Sequence, residues 1–192
     1  MKNQIKQILR EGLILEQRIK FNIDIPQDIL QIKDVFKKNN FKLYVVGGAV
    51  RDAILNQIPK DFDLATDAVP DKVEEMMAKA RFKTLPTGKS FGVINVFTND
   101  GEYEIATFRS DETKGRNPEV KLGVSIETDA ARRDLRINAL YYDIDTHEII
   151  DLVGGLDDLK NGTIQTVGNP QERFEEDPLR ILRFFRFFCR FN

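Results

Sequence analysis

Residues 44–66, YVVGGAVRDAILNQIPKDFDLAT, constrain the fold of this chain more than any other segment. An apolar stretch typical of a buried strand stops at Gly47-Gly48, residues 49–55 can form a helix, and a second strand-like stretch follows. A glycine pair between a strand and a helix lets backbone N–H groups approach an anion, and Arg51 can add positive charge one turn into the helix. This segment therefore predicts a phosphate-binding turn made by Gly47, Gly48 and Arg51.

Asp61 and Asp63 lie two positions apart on the second predicted strand, so we expect both side chains on one face while Phe62 points into the core. Two carboxylates held close together repel each other unless a cation lies between them, which favours a divalent metal site. Oxygen ligands alone favour Mg²⁺, with Mn²⁺ as the alternative. The competing interpretation is a solvated strand end. A phosphate-binding turn followed by a carboxylate pair is the arrangement that nucleotidyl transfer requires.

Composition excludes several other classes of protein. A net charge of −2 argues against a generally basic surface, so a nucleic acid would be held by a local patch. The single cysteine, Cys189, cannot form an intramolecular disulfide, and the single histidine, His147, excludes His-rich metal sites and Ser-His catalysis. No apolar run approaches the ~20 residues of a membrane span, and no signal peptide opens the chain. We therefore expect a cytoplasmic protein with no membrane partner.

Hydrophobic periodicity predicts short strands mixed with helices, without regular βαβ alternation, which indicates an α+β fold. Residues 1–25 are loosely helical in spacing and predict an arm that docks on the body of the protein. Residues 110–127 are polar and contain Gly115, Pro118 and Gly123, which predicts a mobile loop. The predicted helices lie at residues 26–39, 49–55, 70–80, 129–140, 154–161 and from 170 to the end, and the predicted strands at 43–46, 62–65, 92–97, 103–108, 141–145, 148–152 and 163–167.

Three motifs, in the same order, resemble those of the class II tRNA nucleotidyltransferases (the CCA-adding enzymes) and the related bacterial poly(A) polymerases. GGAVRDAILNQIPKDFDLAT resembles the first motif of the family, RRDLRINAL at 132–140 its ribose-contacting motif, and EDPLR at 176–180 its base-recognising motif. The likeness covers residues 26–192. It implies a polymerase β-like nucleotidyltransferase head at residues 26–168, with a small mixed sheet flanked by helices, after an N-terminal arm at 1–25 and before the start of a helical neck at 169–192.

The resemblance assigns the metal site to two Mg²⁺ ions held by Asp61 and Asp63. A third carboxylate comes from the neighbouring strand in the family, and Glu104 is our assignment. Glu102 has the same parity along that strand, so periodicity does not separate the two. The metal ions would activate an RNA 3′-hydroxyl and offset charge on the departing pyrophosphate.

The resemblance also assigns nucleotide recognition. Arg133 and Asp134 would contact the ribose hydroxyls, with Asn138 one helical turn after Asp134 on the same face. Asp177 and Arg180, three positions apart, would share a helix face. There a carboxylate can accept from the exocyclic amine of cytosine or adenine while guanidinium donates to the adjacent ring nitrogen. Uracil and guanine present the reverse pattern, so the pair would admit CTP and ATP alone.

The last predicted helix carries two sets of side chains. Arg180 shares a stripe with Phe184 and Phe187, so we expect it to face the protein. The remaining arginines lie on another flank, where we expect solvent or RNA phosphate; they are Arg183, Arg186 and Arg190.

The function expected from these observations is transfer of CMP and AMP from CTP and ATP to an RNA 3′-end, with tRNA CCA addition or repair as first choice. The chain ends where relatives continue into a neck, body and tail that hold tRNA. That leaves open a poly(A)-type polymerase, a truncated nucleotide- or RNA-binding protein without turnover, and a homo-oligomer.

Overall fold

The computed structural model describes residues 16–113 and 118–191. The ten strands of the described residues are β1 Gln17–Lys20, β2 Leu43–Val46, β3 Asp63–Thr66, β4 Lys83–Gly88, β5 Val93–Phe97, β6 Glu102–Thr107, β7 Arg109–Asp111, β8 Val120–Leu122, β9 Leu140–Asp143 and β10 Glu148–Asp151. Eight of them form one mixed sheet in the order β1-β10-β9-β2-β3-β6-β5-β4, and β7 pairs with β8 in a second sheet. In the large sheet β3 and β6 run parallel and the other neighbours antiparallel.

Helices cover both faces of the large sheet. The first of them shows why these segments are helical, because its apolar residues at spacings of three and four, Ile29, Ile32 and Phe36, are all buried. None of the described helices is long and apolar enough to cross a membrane. The helices are α1 Gln27–Lys38, α2 Gly48–Ile54, α3 Pro70–Lys79, α4 Ile126–Arg132, α5 Gly155–Asn161, α6 Pro170–Glu176 and α7 Leu179–Phe191, with 3₁₀ turns at Lys89–Phe91 and Arg136–Asn138.

Alternating side chains of the strands form a core on each face of the sheet. Val45, Leu64 and Ile105 are side by side on neighbouring strands and belong to the larger core cluster, together with residues of α1 and α3. The opposite face buries Tyr44 and Tyr141 with α4 residues. In β2, β3 and β9 the acidic side chains are confined to the strand ends, with Asp63 at the start of β3. That is where the candidate site lies.

The α+β class and the mixed sheet predicted from the sequence are confirmed, but the sheet is larger than the small one expected. Two strands were not predicted, β1 and β4, and both lie at its edges. Gln17–Lys20 was expected to be helical, yet it pairs with β10, because ladder hydrogen bonds outweigh a weak helical pattern. Residues 1–15 of the predicted arm lie outside the described residues.

Two predictions between residues 110 and 140 are wrong in part. The predicted loop contains two paired strands, β7 and β8, and the start of α4; residues 114–117 lie outside the described residues. The helix predicted at 129–140 instead begins at Ile126, after the Ser125 cap, and ends at Arg132. Residues 163–167 form one bridge, between Leu135 and Thr166, rather than a strand.

The continuous helix predicted from residue 170 is interrupted at Asp177. This residue is extended, with φ −149° and ψ 103°, because the proline at 178 disfavours helical geometry in the residue before it. The Asp177 carboxylate then accepts a hydrogen bond from the Leu179 N–H at 3.0 Å, which starts α7. The argument that Asp177 and Arg180 share one helix face is therefore wrong.

Candidate active site

The candidate site is a cleft with a volume of about 790 Å³, at the end of β2 and the start of β3. Val46 and Asp63 are register partners on these two strands, so the glycine turn lies beside the second aspartate. Gly47 has φ +75°, which favours glycine, and this turn starts α2. The lining residues are Gly47, Gly48, Arg51, Asp52, Gln57, Ile58, Lys60, Asp61, Asp63, Arg133, Asp134, Asn138, Arg186, Phe187 and Arg190.

Asp61 and Asp63 both line the cleft, although Asp61 precedes the strand that Asp63 begins. Within the described part of the chain neither carboxylate forms a hydrogen bond or an ion pair. Burial and the charge of Asp61 raise the pKa of the Asp63 carboxyl, while Arg133 lowers it. Unpaired carboxylate oxygens with this mutual repulsion fit a divalent cation, which would relieve it.

Glu104 is on β6, next to Asp63 on β3, one position before the register pair Leu64 and Ile105. It is exposed and does not line the cleft. Glu102, two positions earlier on β6, accepts a hydrogen bond from the Asn95 side chain. Across residues 16–113 and 118–191, no three His, Cys, Asp or Glu side chains come close enough to hold a metal ion, so Glu104 does not complete a group with the aspartate pair in this structure.

Arg51 lines the base of the cleft and is tied to its neighbours. It is 5% exposed, forms hydrogen bonds to Asp52 and Asn138, and lies 4.9 Å from the ring centroid of Phe187. The Gly47 N–H also has a partner, the Leu140 carbonyl oxygen at 3.0 Å. The N–H groups left for an anion at this turn are therefore those of the first turn of α2, from Gly48 onward.

Beneath the cleft a buried carboxylate holds the arginine of the ribose motif. Asp129 is 1% exposed and accepts from Arg133 at 3.1 and 3.2 Å, from Arg132 and from the Tyr141 hydroxyl. Burial raises the pKa of Asp129, but the charges of Arg133 and Arg132 outweigh it and hold this pKa below its ordinary value. The sequence placed Asp129 only at the start of a predicted helix, at residues 129–140. Its spacing of three and four from the two arginines is the signal that identifies it.

Asp134 and Asn138 both line the cleft, as the ribose assignment requires. They are brought together by the extended residue 133 and the following 3₁₀ turn rather than by one helix face. Asp177 and Arg180 do not line the cleft. Arg180 donates to Glu176 at 2.7 Å, and Asp177 accepts from Arg183 at 3.3 Å.

The flank of α7 expected to face solvent or RNA phosphate instead faces the head. Arg183 donates to Asp134 at 2.8 Å, Arg190 donates to Gln57 at 2.9 Å, and Arg186 lines the cleft. Lys60 and Arg186 form no hydrogen bond or ion pair with other described residues, which leaves positive charge facing the cleft. The periodicity of α7 correctly grouped these arginines on one flank, and Phe187 of the apolar stripe is buried, but periodicity did not show that the head would contact the arginine flank as well.

The comparisons with known proteins agree with this geometry. Residues 43–165 match the family model described as the poly A polymerase head domain. The chain is 38% identical over 182 residues to poly(A) polymerase I of Salmonella typhi, covering 88% of this chain and 38% of that protein. It is 42% identical over 169 residues to the CCA-adding enzyme of Enterococcus faecalis, covering 85% and 40%. The chain thus spans about two fifths of the length of the curated relatives it matches.

Solved structures are similar over the same region. The CCA-adding enzyme of Bacillus stearothermophilus in complex with CTP has a TM-score of 0.74 and 36% identity, covering 84% of this chain and 38% of that one. A tRNA nucleotidyltransferase complexed with a primer tRNA and an incoming ATP analogue has a TM-score of 0.66 and 31% identity, covering 81% and 44%. Both solved structures therefore share the fold that forms the cleft.

Proposed function

This chain belongs to the class II nucleotidyltransferase family of CCA-adding enzymes and poly(A) polymerases, and from that premise we propose that it transfers CMP and AMP from CTP and ATP to the 3′-end of an RNA. The terminus of tRNA is the first choice of acceptor. One observation carries the proposal: the glycine turn, the unpaired carboxylates Asp61 and Asp63, and the ribose-motif residues Asp134 and Asn138 line a single cleft. The residues that line the cleft all lie within the matched head, except Arg186, Phe187 and Arg190 of α7.

Asp61 and Asp63 are the residues that would hold two Mg²⁺ ions, with Glu104 as the proposed third carboxylate and Mn²⁺ as the alternative ion. Bound metal would supply the positive charge that lowers the pKa of an RNA 3′-hydroxyl and offsets charge on pyrophosphate. Activation of the 3′-hydroxyl in this way does not require a histidine side chain. The chain itself contributes the walls of the cleft, which orient the triphosphate.

The triphosphate is assigned to the turn of Gly47 and Gly48, with Arg51 beneath it. Arg51 is held by Asp52 and Asn138, so its role is to keep the turn positive and rigid rather than to reach toward a phosphate. Lys60 and Arg186 line the same cleft although they are far apart in the chain, and their positive charges form no ion pair with a described residue. They are additional candidates for the β- and γ-phosphates.

The ribose is assigned to Arg133, Asp134 and Asn138. A carboxylate accepts from a 2′-hydroxyl, which deoxynucleotides lack, so Asp134 gives a physical basis for choosing ribonucleotides. The base is assigned to Asp177 and Arg180, which accept from and donate to the edge shared by cytosine and adenine. For that contact Arg180 must exchange its bond to Glu176 for the base.

Addition of adenylate tails is the second candidate, favoured by the 38% identity to a poly(A) polymerase I across most of the chain. The N-terminal arm at 1–25, the head at 26–168 and the neck start at 169–192 remain our proposed division. A cytoplasmic location and self-association are proposals as well.

The test supplies CTP and ATP, together or singly and with one of them α-labelled, with Mg²⁺ to tRNAs that lack one, two or three terminal nucleotides. CCA addition predicts that each acceptor is extended to the same full length and no further, and that CTP is required only for the two shorter acceptors. Long products from ATP alone on unrelated RNA would indicate the poly(A) type. Binding of CTP without incorporation into any acceptor would contradict both and leave a nucleotide-binding protein. Asp61→Asn/Asp63→Asn serves as the inactive control.

A further inference from the structure

One guanidinium of α7 contacts two carboxylates that are far apart in the chain. Arg183 Nε donates to Asp134 Oδ2 at 2.8 Å, and its Nη2 donates to Asp177 Oδ2 at 3.3 Å. The opposite oxygens are occupied in the same way in both aspartates: Asp134 Oδ1 accepts from the Leu135 N–H at 2.7 Å, and Asp177 Oδ1 from the Leu179 N–H at 3.0 Å. Each carboxylate is thus fixed at one oxygen by backbone and at the other by Arg183.

The two carboxylates are mostly buried, whereas the arginine that contacts them is half-exposed. The side chains of Asp134 and Asp177 are only 18% and 14% exposed, whereas that of Arg183 is 43% exposed. An isolated ion pair on the surface would do little to fix the orientation of either side chain. Here the carboxylates are enclosed and the planar fork of the arginine presents separate N–H groups to each, a geometry that a single point charge does not reproduce.

No other cation takes this place among the described residues. Arg180 is committed to Glu176 and to the Arg132 carbonyl oxygen, and Arg190, two turns further along α7, contacts Asp52 and Gln57. Arg183 is the ion-pair partner of both aspartates.

We propose that Arg183 is a positioning residue that couples recognition of the sugar to recognition of the base. The inference rests on the proposed function, in which Asp134 contacts the ribose and Asp177 the base. Because both carboxylates share one cation, the orientation of each depends on the other, and a nucleotide that engages one favours the correct orientation of the second. Coupling of this kind is reciprocal, so the loss of Arg183 affects both selections together.

The test measures equilibrium binding of CTP, dCTP and UTP with Mg²⁺ by calorimetry, for the wild type and for Arg183→Gln. The wild type is expected to prefer CTP over both competitors. In the variant both preferences fall by about tenfold, equal to about 1.4 kcal/mol, because each carboxylate loses one charge-assisted hydrogen bond that orients it. Lys33→Gln on α1 is the matched control, since it removes a cation that also contacts two carboxylates, Asp34 at 2.9 Å and Asp145 at 3.5 Å, none of which lines the cleft, and it is expected to keep both ratios.

Arg183→Lys provides a second variant in case the glutamine form folds poorly. Lysine keeps the charge and the contact between α7 and the head, but one ammonium does not serve both carboxylates as the fork does. It is expected to retain thermal stability and to lose at least one preference. A lysine variant that keeps the preference for CTP over both dCTP and UTP would contradict the claim that one guanidinium orients both carboxylates.

The remaining outcomes are equally decisive. If Arg183→Gln keeps either preference, or the wild type does not prefer CTP over both competitors, the inference is wrong. Failure of the proposed function is distinguishable: a wild type that binds selectively, and loses both preferences with Arg183, but transfers no nucleotide to RNA would refute the transfer activity and leave the positioning role intact.

Discussion

Replacing Asp129 by asparagine tests whether the buried carboxylate supports the cleft. The change keeps the shape of the side chain but removes the charge that holds Arg132 and Arg133 at 2.8 and 3.1 Å. Breaking a buried pair from one side costs about 3–5 kcal/mol because it leaves the partner charge uncompensated. Both arginines keep some access to water, which favours the lower end, and about 3 kcal/mol corresponds to a fall in Tm of roughly 6–12 °C for a domain of this size.

The pH dependence of this effect has a definite sign. The pKa of Asp129 is below its ordinary value in the folded protein, so its charged form stabilises the fold. The stability difference between wild type and Asp129→Asn is therefore complete at neutral pH. It shrinks as the pH falls below the unfolded-state pKa of about 3.9 and through the lower folded-state pKa.

Thermal unfolding followed by circular dichroism, repeated by urea titration, measures the difference, and CTP binding reports on Arg133. The control is Glu75→Gln on α3, which removes an exposed carboxylate that also accepts from two cations, Lys72 and Lys79, at 2.7 Å. The control is expected to melt almost as the wild type does. If Asp129→Asn melts within about 2 °C of the wild type at neutral pH, the buried charge does not stabilise this region and the reasoning is refuted.

Three further predictions concern the walls of the cleft. Gly47→Ala is expected to lower the free energy of unfolding by about 1–3 kcal/mol through its positive φ alone, because an added Cβ meets no atom closer than 3.6 Å; a urea titration that shows no change would contradict this. Phe187→Ala, at 8% exposure, should cost about 3–5 kcal/mol and loosen Arg51, whereas Phe187→Leu should cost clearly less in the same titration. Arg186→Gln should weaken CTP binding more than CMP binding in calorimetry, and equal weakening would exclude a phosphate contact.

The elements that were predictable from the sequence are those specified locally. The glycine turn at Gly47, the strands predicted at 92–97 and 103–108 and the apolar spacing of α1 each depend on neighbours within a few positions, and all are present in the structure. Asp61 and Asp63 were expected to face the same cleft for the same reason, because only one residue separates them in the chain.

What the sequence did not reveal depends on how elements pack. The side of α7 that meets the head is decided by the break at Asp177 and by Phe187, which packs with Leu135 and Ile137; periodicity reports a shared flank but not its neighbour. Arg183 was therefore expected to meet solvent or RNA phosphate and instead contacts Asp134 and Asp177. Edge strands were missed for a related reason, because β1 gains its structure from pairing with β10 rather than from its own residues.

The measurement that tests the central claim most directly is a crystal structure of the protein with CTP and Mn²⁺, in which anomalous scattering locates the metal. The structure described here predicts a manganese peak in contact with Asp61 and Asp63, with the triphosphate beside the turn at Gly47 and Gly48 and the ribose toward Asp134. A peak away from both aspartates, or a nucleotide bound outside this cleft, would contradict the claim that the carboxylate pair and the glycine turn form a single site for a metal-bound nucleoside triphosphate.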